Sequence, residues 1–432
     1  MKKMFLYKEL TRNSGLGFAI CCRLMDEAYP TYKALTIIFT TRTTRKGADT
    51  LSQLQKHYHK SPAAEKPIIS FQPEIVDLTQ LHTVKALSAR LFKTTPKLDS
   101  LFLNAGIGGF AGLDWWMAIV CHLKSFKSAL TWPTYKKSTI GSLAPLQCAQ
   151  TSKKENGYMS TNSDGESIDV GFSEPPVGEV FCANVFGHYM LSHLLVPILE
   201  KPHALGRIIW ISSLEAYHDA FTPSDLQLLR SPTPYEASKR LTDILAITAH
   251  LPSSKPWVDR YLSHHSSSTE NSDITQTDRR DPTIYVAQPG ICATEIVPLN
   301  MILTYLKIFF LYVARWVGSP WHTISPYVGA CAPVWLALSP RSRLDKLEED
   351  SGPGKWGSAT DFWGEPRVVR TEIEGWGYGG ILGDDTTRRR GRRRDAKDLT
   401  REAKEEFEEM GRQCWRQMED LREDWEARLD GS

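Results

Sequence analysis

Four short, almost continuously apolar runs constrain this chain more than any other feature. They are Leu35 to Thr41 (LTIIFTT), Leu101 to Gly106 (LFLNAG), Gly206 to Ser213 (GRIIWISS) and Ile284 to Thr294 (IYVAQPGICAT). Runs of this kind, rich in β-branched residues and lacking polar alternation, suit strands covered on both faces of a parallel sheet. The runs lead into loops marked by glycine, proline or serine, and apolar stretches with helical spacing lie between them, such as ANVFGHYMLSHLLVPIL around Asn184. Strand, loop and helix repeated in this order predict an α/β fold. The expected architecture is a Rossmann-type, doubly wound parallel sheet with helices on both faces, plus inserted segments and a helical C-terminal tail.

The chain has 432 residues, more than one ordinary domain needs. All four runs nonetheless fit one α/β domain over 1–385. The excess lies in inserts at 110–180, 252–282 and 298–322 and in a tail at 386–432. A formal charge of +2 speaks against a general nucleic-acid binder. Cys21, Cys22, Cys121, Cys148, Cys182, Cys292, Cys331 and Cys414 show no metal-ligand spacing, so no metal site is expected. Several of them fall in apolar helices or strands, which favours reduced thiols facing a cytosol over disulfides. Lys2 and Lys3 precede too short an apolar run for a cleavable signal peptide, and no internal repeat is evident.

The chemistry is concentrated in Tyr235, Glu236, Ala237, Ser238 and Lys239. Tyr and Lys four apart project from one helix face. An ammonium beside a phenol favours the phenolate and would lower the tyrosine below its usual value of about 10, making it a usable acid/base near neutral pH. Such a pair alone is common by chance. Upstream, the strand Gly206–Ser213 ends in two serines, and ligands of open α/β sheets bind at the strands' C-terminal ends. Ser213 could therefore hydrogen-bond a substrate carbonyl while Tyr235 delivers a proton. Asn13 to Gly17 (NSGLG) leads into the apolar helix FAICCRLM, a turn that lets backbone approach a pyrophosphate at a helix N-terminus. After the second strand come Arg42, Arg45 and Lys46, where an NAD-preferring site would place a carboxylate. Three cations suit a 2′-phosphate instead, with Arg12 adding to them, so NADPH is favoured over NADH.

Together and in this order, these motifs resemble the short-chain dehydrogenase/reductase family from about Thr11 to Leu338. The resemblance implies a catalytic set of Asn184, Ser213, Tyr235 and Lys239, with Lys239 also touching the cofactor ribose. It implies cofactor contacts from Arg12, Asn13, Gly15, Gly17, Arg42, Asp77, Asn104, Gly106, Tyr235, Lys239, Pro289, Gly290 and Thr294, with Asp77 near the adenine. Ser212 would be the structural neighbour of Ser213. One position departs from the pattern, because Thr11 stands where the family's glycine turn opens, after a strand carrying Lys8 and Glu9. Either the turn is reshaped and grips the cofactor less well, or the N-terminus is misassigned or truncated.

The inserts are similar to those of the fungal 3-ketosteroid reductases of sterol C4-demethylation. NAGIGGFAGLDW, ALTWPTYK, EPPVGEVFCANVFGHYML, the stretch from SSLEA to PYEASKR, and QPGICATEI carry that resemblance. It implies NADPH-dependent reduction of a 3-keto sterol to the 3β-hydroxy sterol, on the endoplasmic reticulum or lipid droplets, beside other enzymes of C4-demethylation. Two alternatives stay open: reduction of another lipid ketone or aldehyde, and a catalytically impaired scaffold. Phe110 to Trp132 is apolar enough to cap a large hydrophobic ligand or to pack as a core helix. Leu299 to Val317 is apolar apart from Lys307 and Arg315, which could snorkel to headgroups, so an interfacial helix is expected ahead of a spanning one, with a substrate lid as the other reading. Pro252 to Asp281 reads as a solvated loop. The tail combines the basic run Arg388–Arg394 with an amphipathic helix using Leu399, Phe407, Met410, Cys414, Met418, Leu421 and Trp425. That face suits docking on its own domain, or a partner or membrane-proximal role with the arginines meeting anionic headgroups.

Overall fold

The computed structural model describes residues 2–8, 15–29, 31–60, 66–113, 116, 120, 136–145, 147, 174–200, 206–263, 281–293, 301–383, 391–393 and 395–431. Its centre is an eight-stranded sheet. In chain order the strands are β1 (Lys2–Lys8), β2 (Ala34–Thr41), β3 (Ile68–Ile75), β4 (Ser100–Leu103), β7 (Arg207–Ile211), β8 (Thr283–Gln288), β9 (Lys355–Thr360) and β10 (Pro366–Thr371). They lie in the order β10-β9-β8-β7-β4-β1-β2-β3, parallel throughout except for β10 at one edge. A small hairpin of β5 (Phe110–Leu113) and β6 (Lys136–Ser138) stands apart.

The four apolar runs occupy strands as expected. β4, β7 and nearly all of β2 and β8 are buried along their length, because helices cover both faces and leave no solvated side. Leu101 pairs with Ile208, and Ile208 with Ile284. The strand carrying Lys8 is central, between β2 and β4. The chain runs outward from β1 to β3, then returns to β4 on the other side of β1. That reversal opens a crevice at the strands' C-terminal ends, where ligands of such sheets bind.

On one face pack α3 (Leu81–Thr94), α4 (Glu179–Leu199), α5 (Pro234–Thr248) and α6 (Lys255–Leu262). On the other lie α1 (Leu16–Glu27), α2 (Thr44–Lys60), α8 (Pro326–Leu338) and α9 (Arg341–Ser351). Full burial of side chains such as Leu191, Leu195 and Val196 contributes about 1.5–3 kcal/mol each.

Three expectations are corrected. The segment from Pro252 is not wholly a loop, because Lys255–Leu262 forms α6 and buries Val258, Tyr261 and Leu262 against the core. For the tail, the reading of docking on its own domain holds and its separation from the reductase domain is what is corrected: α10 (Arg401–Gly431) lies across α5 and α6, and buries Phe407, Cys414, Trp415, Met418, Trp425 and Leu429. A Cβ at Gly411 would stand 2.3 Å from the Thr248 side chain, so only glycine permits the crossing. Glu419, fully buried, accepts the Tyr189 hydroxyl at 2.6 Å and pairs with Arg422 at 2.7 Å, tying α10 to α4. In the basic run, Arg392 pairs with Glu372 and Asp398, and Arg393 pairs with Asp395 over the Tyr217 ring. Arg388, Arg389, Arg390 and Arg394 lie outside the described residues.

The third correction concerns the apolar segment after Thr294. It forms α7 (Met301–Trp316), with Lys307 half-buried. Arg315 does not snorkel. It is buried, and its guanidinium donates to the His322 and Thr323 carbonyls at 2.9 and 2.8 Å, holding α7 to the body of the protein. Of the apolar stretch from Phe110 to Trp132, the described part opens as strand β5, and the remainder falls largely outside the described residues.

Candidate active site

α5 begins with Pro234 in its first turn, where a missing N–H costs nothing, and this starts the helix beside the end of β7. Tyr235 follows at once. Its ring lies against that of Phe110, with centroids 5.5 Å apart, and its hydroxyl lies beside the Ser213 side chain. Lys239, one turn on, donates from Nζ to the Ile211 carbonyl at 2.8 Å and lies 5.7 Å from the Tyr235 ring centroid. The two serines differ in burial and in partner. Ser212 is buried and bonds the Lys239 carbonyl at 3.3 Å, whereas Ser213 is half-buried and faces the tyrosine.

Asn184 sits in a π-helical turn, Cys182–Phe186, within α4. Such a turn places an extra residue in the helix and often marks functional sites. The Asn184 side chain joins two elements. Its Oδ1 accepts Ile107 N–H at 2.7 Å, and its Nδ2 donates to Ile107 O at 3.0 Å and to Ser238 Oγ at 2.9 Å. It thereby fixes the loop after β4, carrying Asn104 and Gly106, to the helix bearing Tyr235 and Lys239.

The electrostatics overturn one expectation. Lys239 does not draw the Tyr235 phenol below its usual value. Burial pushes that phenol up, and Glu215 and Glu236 add to the rise, while Ser213 opposes it. Burial also pushes Lys239 down, to about 8, with Asp243 resisting and Lys355 assisting. In the arrangement present, Tyr235 is a protonated acid rather than a phenolate.

Beyond Tyr235 and Lys239, the described members of the expected cofactor set lie at or just beyond the C-terminal ends of strands β2, β3, β4 and β8 and at the start of α1. Gly15 caps α1, where no side-chain cap hydrogen bond forms among the described residues, and Gly17 is buried in the first turn. Arg42, Arg45 and Lys46 are exposed where β2 meets α2. Asp77 follows β3 and accepts Thr79 N–H and O–H at 3.0 and 2.9 Å. Pro289 and Gly290 end β8, where Gly290 has φ +73° and a Cβ would meet Trp321 O at 2.5 Å. Arg12, Asn13 and Thr294, like Thr11, lie outside the described residues.

Sequence reasoning missed Phe110 as a neighbour of the tyrosine, and missed Asp243 and Lys355. Asp243 had a signal, since it lies four residues beyond Lys239 on the same helix face. Lys355 had none, because it arrives from a strand more than a hundred residues away.

Comparisons with known proteins bear on the family of the chain. The chain is 45% identical to the 3-keto-steroid reductase erg27 of Aspergillus fumigatus, covering 97% of this chain and 93% of that one. It is 33% identical to 3-keto-steroid reductase ERG27 of Gibberella zeae, covering 96% and 92%. It is 30% identical to the Schizosaccharomyces pombe enzyme of the same name, covering 84% and 88%. No family model matches the chain. Among solved structures, L-sorbose reductase of Gluconobacter frateurii complexed with NADPH and L-sorbose is 13% identical with a TM-score of 0.40, covering 78% of this chain and 89% of that one, a similarity too low to bear on the site.

Proposed function

We propose, from the premise that the chain belongs to the family of fungal 3-keto-steroid reductases, that it reduces the 3-keto group of a sterol intermediate to the 3β-alcohol with NADPH. The observation that carries this reading is the grouping of Ser213, Tyr235 and Lys239 at the C-terminal end of β7, with Lys239 Nζ on the Ile211 carbonyl and 5.7 Å from the Tyr235 ring.

The residues present fit a nicotinamide dinucleotide. The first turn of α1 would hold the pyrophosphate, and Arg42 with Arg45 and Lys46 a 2′-phosphate. When bound, the cofactor supplies the hydride for the carbonyl carbon. The protein's share is the oxygen. Ser213 and Tyr235 hydroxyls donate to it, and Tyr235, held protonated by burial and by nearby carboxylates, gives up its proton as the alkoxide forms. Lys239 lies beside that phenol and stabilises the charge left on it. Replacement of the proton runs past Lys239 and Asn184 by water. Phe110 offers an apolar shelf against the tyrosine for the flat sterol skeleton.

The helix α7 accounts for access to a membrane-dissolved substrate. Tyr305, Leu306, Phe309, Tyr312 and Trp316 are exposed along it, and Trp363 lies 83% exposed in the neighbouring β9–β10 connection. The sixteen described residues of the helix measure about 24 Å against a bilayer's hydrocarbon core of about 30 Å, and buried Arg315 ties their C-terminal end to the protein. α7 therefore lies in the interface, on the cytosolic face of the endoplasmic reticulum or of a lipid droplet.

The test is NADPH oxidation by purified protein with a 3-keto sterol. Tyr235→Phe is expected to lower turnover at least about 100-fold while NADPH still binds. Turnover unchanged in that variant would sink the mechanism, and turnover only of non-sterol lipid ketones would sink the substrate. Replacing Arg42 and Arg45 by alanine is expected to weaken NADPH binding and spare NADH.

A further inference from the structure

Behind the catalytic face of α5 lies a second lysine that the proposed reaction does not use. Lys355, the first residue of β9, is 2% exposed, and its Nζ donates to Asp243 Oδ2 and to the Ser213 carbonyl, both at 2.6 Å. Asp243 is 1% exposed and stands one helical turn beyond Lys239. Removing two charges from water in this way costs several kcal/mol, and a pair of apolar residues would often serve stability as well or better. Stability alone is therefore a poor account of the pair. Its geometry is more specific. The carbonyls of Ile211 and Ser213, alternate residues at the end of β7, each accept one lysine: Lys239 on the first and Lys355 on the second. Among the described residues, Asp243 Oδ1 makes no hydrogen bond, so its charge is only half satisfied by Lys355.

We propose that Asp243 and Lys355 are positioning residues for reduction: Lys355 fixes the backbone that presents the Ser213 hydroxyl, and Asp243 supplies the counter-charge that keeps Lys239 an ammonium. The inference rests on the reading of Ser213, Tyr235 and Lys239 as the catalytic group. Three charges interact in a water-poor space, with Arg240 also acting on Lys355 and with Glu215 and Glu236 facing Tyr235. Asp243 raises Lys239 and Lys355 lowers it, the carboxylate having the larger influence. The useful form of Lys239 is the charged one, so turnover falls as pH rises through its titration, near 8.

The experiment compares the pH profile of kcat, at saturating NADPH and 3-keto sterol, for the full chain and three variants. In parallel, side-chain NMR of 13C-lysine protein, assigned with Lys239→Arg, reads the Lys239 titration without any turnover. Asp243→Asn is expected to move the alkaline limb and the titration down by about one unit or more, and Lys355→Met to move both up. The double variant, lacking both charges, should fall between wild type and Asp243→Asn. Breaking a buried pair from one side can unfold a protein. If either single variant fails to fold, the uncharged double variant still decides, since a limb and titration equal to wild type would overturn the proposal. Altered kcat with an unmoved titration in the single variants would also overturn it, leaving the pair a structural one. Failure of the wild-type protein to reduce any 3-keto sterol would remove the substrate reading alone, with the NMR order of the variants still testing the clamp.

Discussion

Two apolar helices, α4 and α7, look alike in composition and end in opposite places. α4 is long and apolar enough to cross a membrane, yet it is buried in the protein: Phe181, Val185, Phe186, Leu195 and Leu199 are all fully enclosed. α7 is shorter and carries two cations, yet it turns Tyr305, Phe309, Tyr312 and Trp316 outward. The difference comes from neighbours. α4 has α3, α5, α6 and α10 around it, whereas α7 is held at its end by Arg315 and leaves a face uncovered. Hydropathy measures what a segment prefers to touch, and only packing decides whether protein or lipid provides it.

The sharpest way to break the comparison is to disturb the interior of α4. Phe186 is fully buried and stacks on Phe181 at 5.5 Å, so Phe186→Ala should cost about 3–5 kcal/mol in denaturant unfolding. A cost near zero would mean that α4 is not the core helix described. Next comes Asn184→Ala in the π-turn, which unties the Ile107 loop from α5. Turnover should drop about 100-fold through misplacement of the site, with a smaller loss of stability, as single-turnover kinetics and melting curves would show.

On α7 the expected effects are smaller and of another kind. Arg315→Met removes two buried donors from the His322 and Thr323 carbonyls and should cost about 1–3 kcal/mol, loosening α7 without altering the chemistry in a detergent-solubilised assay. Replacing Tyr305, Phe309 and Trp316 together by serine should leave unfolding within about 0.5 kcal/mol per site, because those side chains are already exposed. The same triple variant should lose flotation with phosphatidylcholine vesicles. Retained flotation would show that some other surface meets the membrane.

Much of the site was legible because its parts are local. Tyr235 and Lys239 share a helix face by spacing, Ser213 ends an apolar strand, and Gly290 closes another. Other parts were out of reach. The tail illustrates why: the stripe from Phe407 to Trp425 announced an amphipathic helix, but a stripe does not name its partner, and Gly411 against Thr248 is a contact between residues 163 positions apart in sequence. The sign of the Tyr235 shift was likewise invisible. Proximity of a lysine argued for a lowered value, and burial, which depends on every element packed around the phenol, proved the larger effect.

The sequence by itself determined the parallel sheet, the order of its strand–loop–helix units and the chemical groups brought to the strands' ends, because period and turn chemistry act over a few residues. Only the tertiary structure decided which apolar helix is core and which is surface, that the C-terminal helix completes the core, and that Lys355 reaches Asp243 beneath Tyr235 and Lys239. Those outcomes depend on which surfaces meet across the fold, and on the loss of water between them.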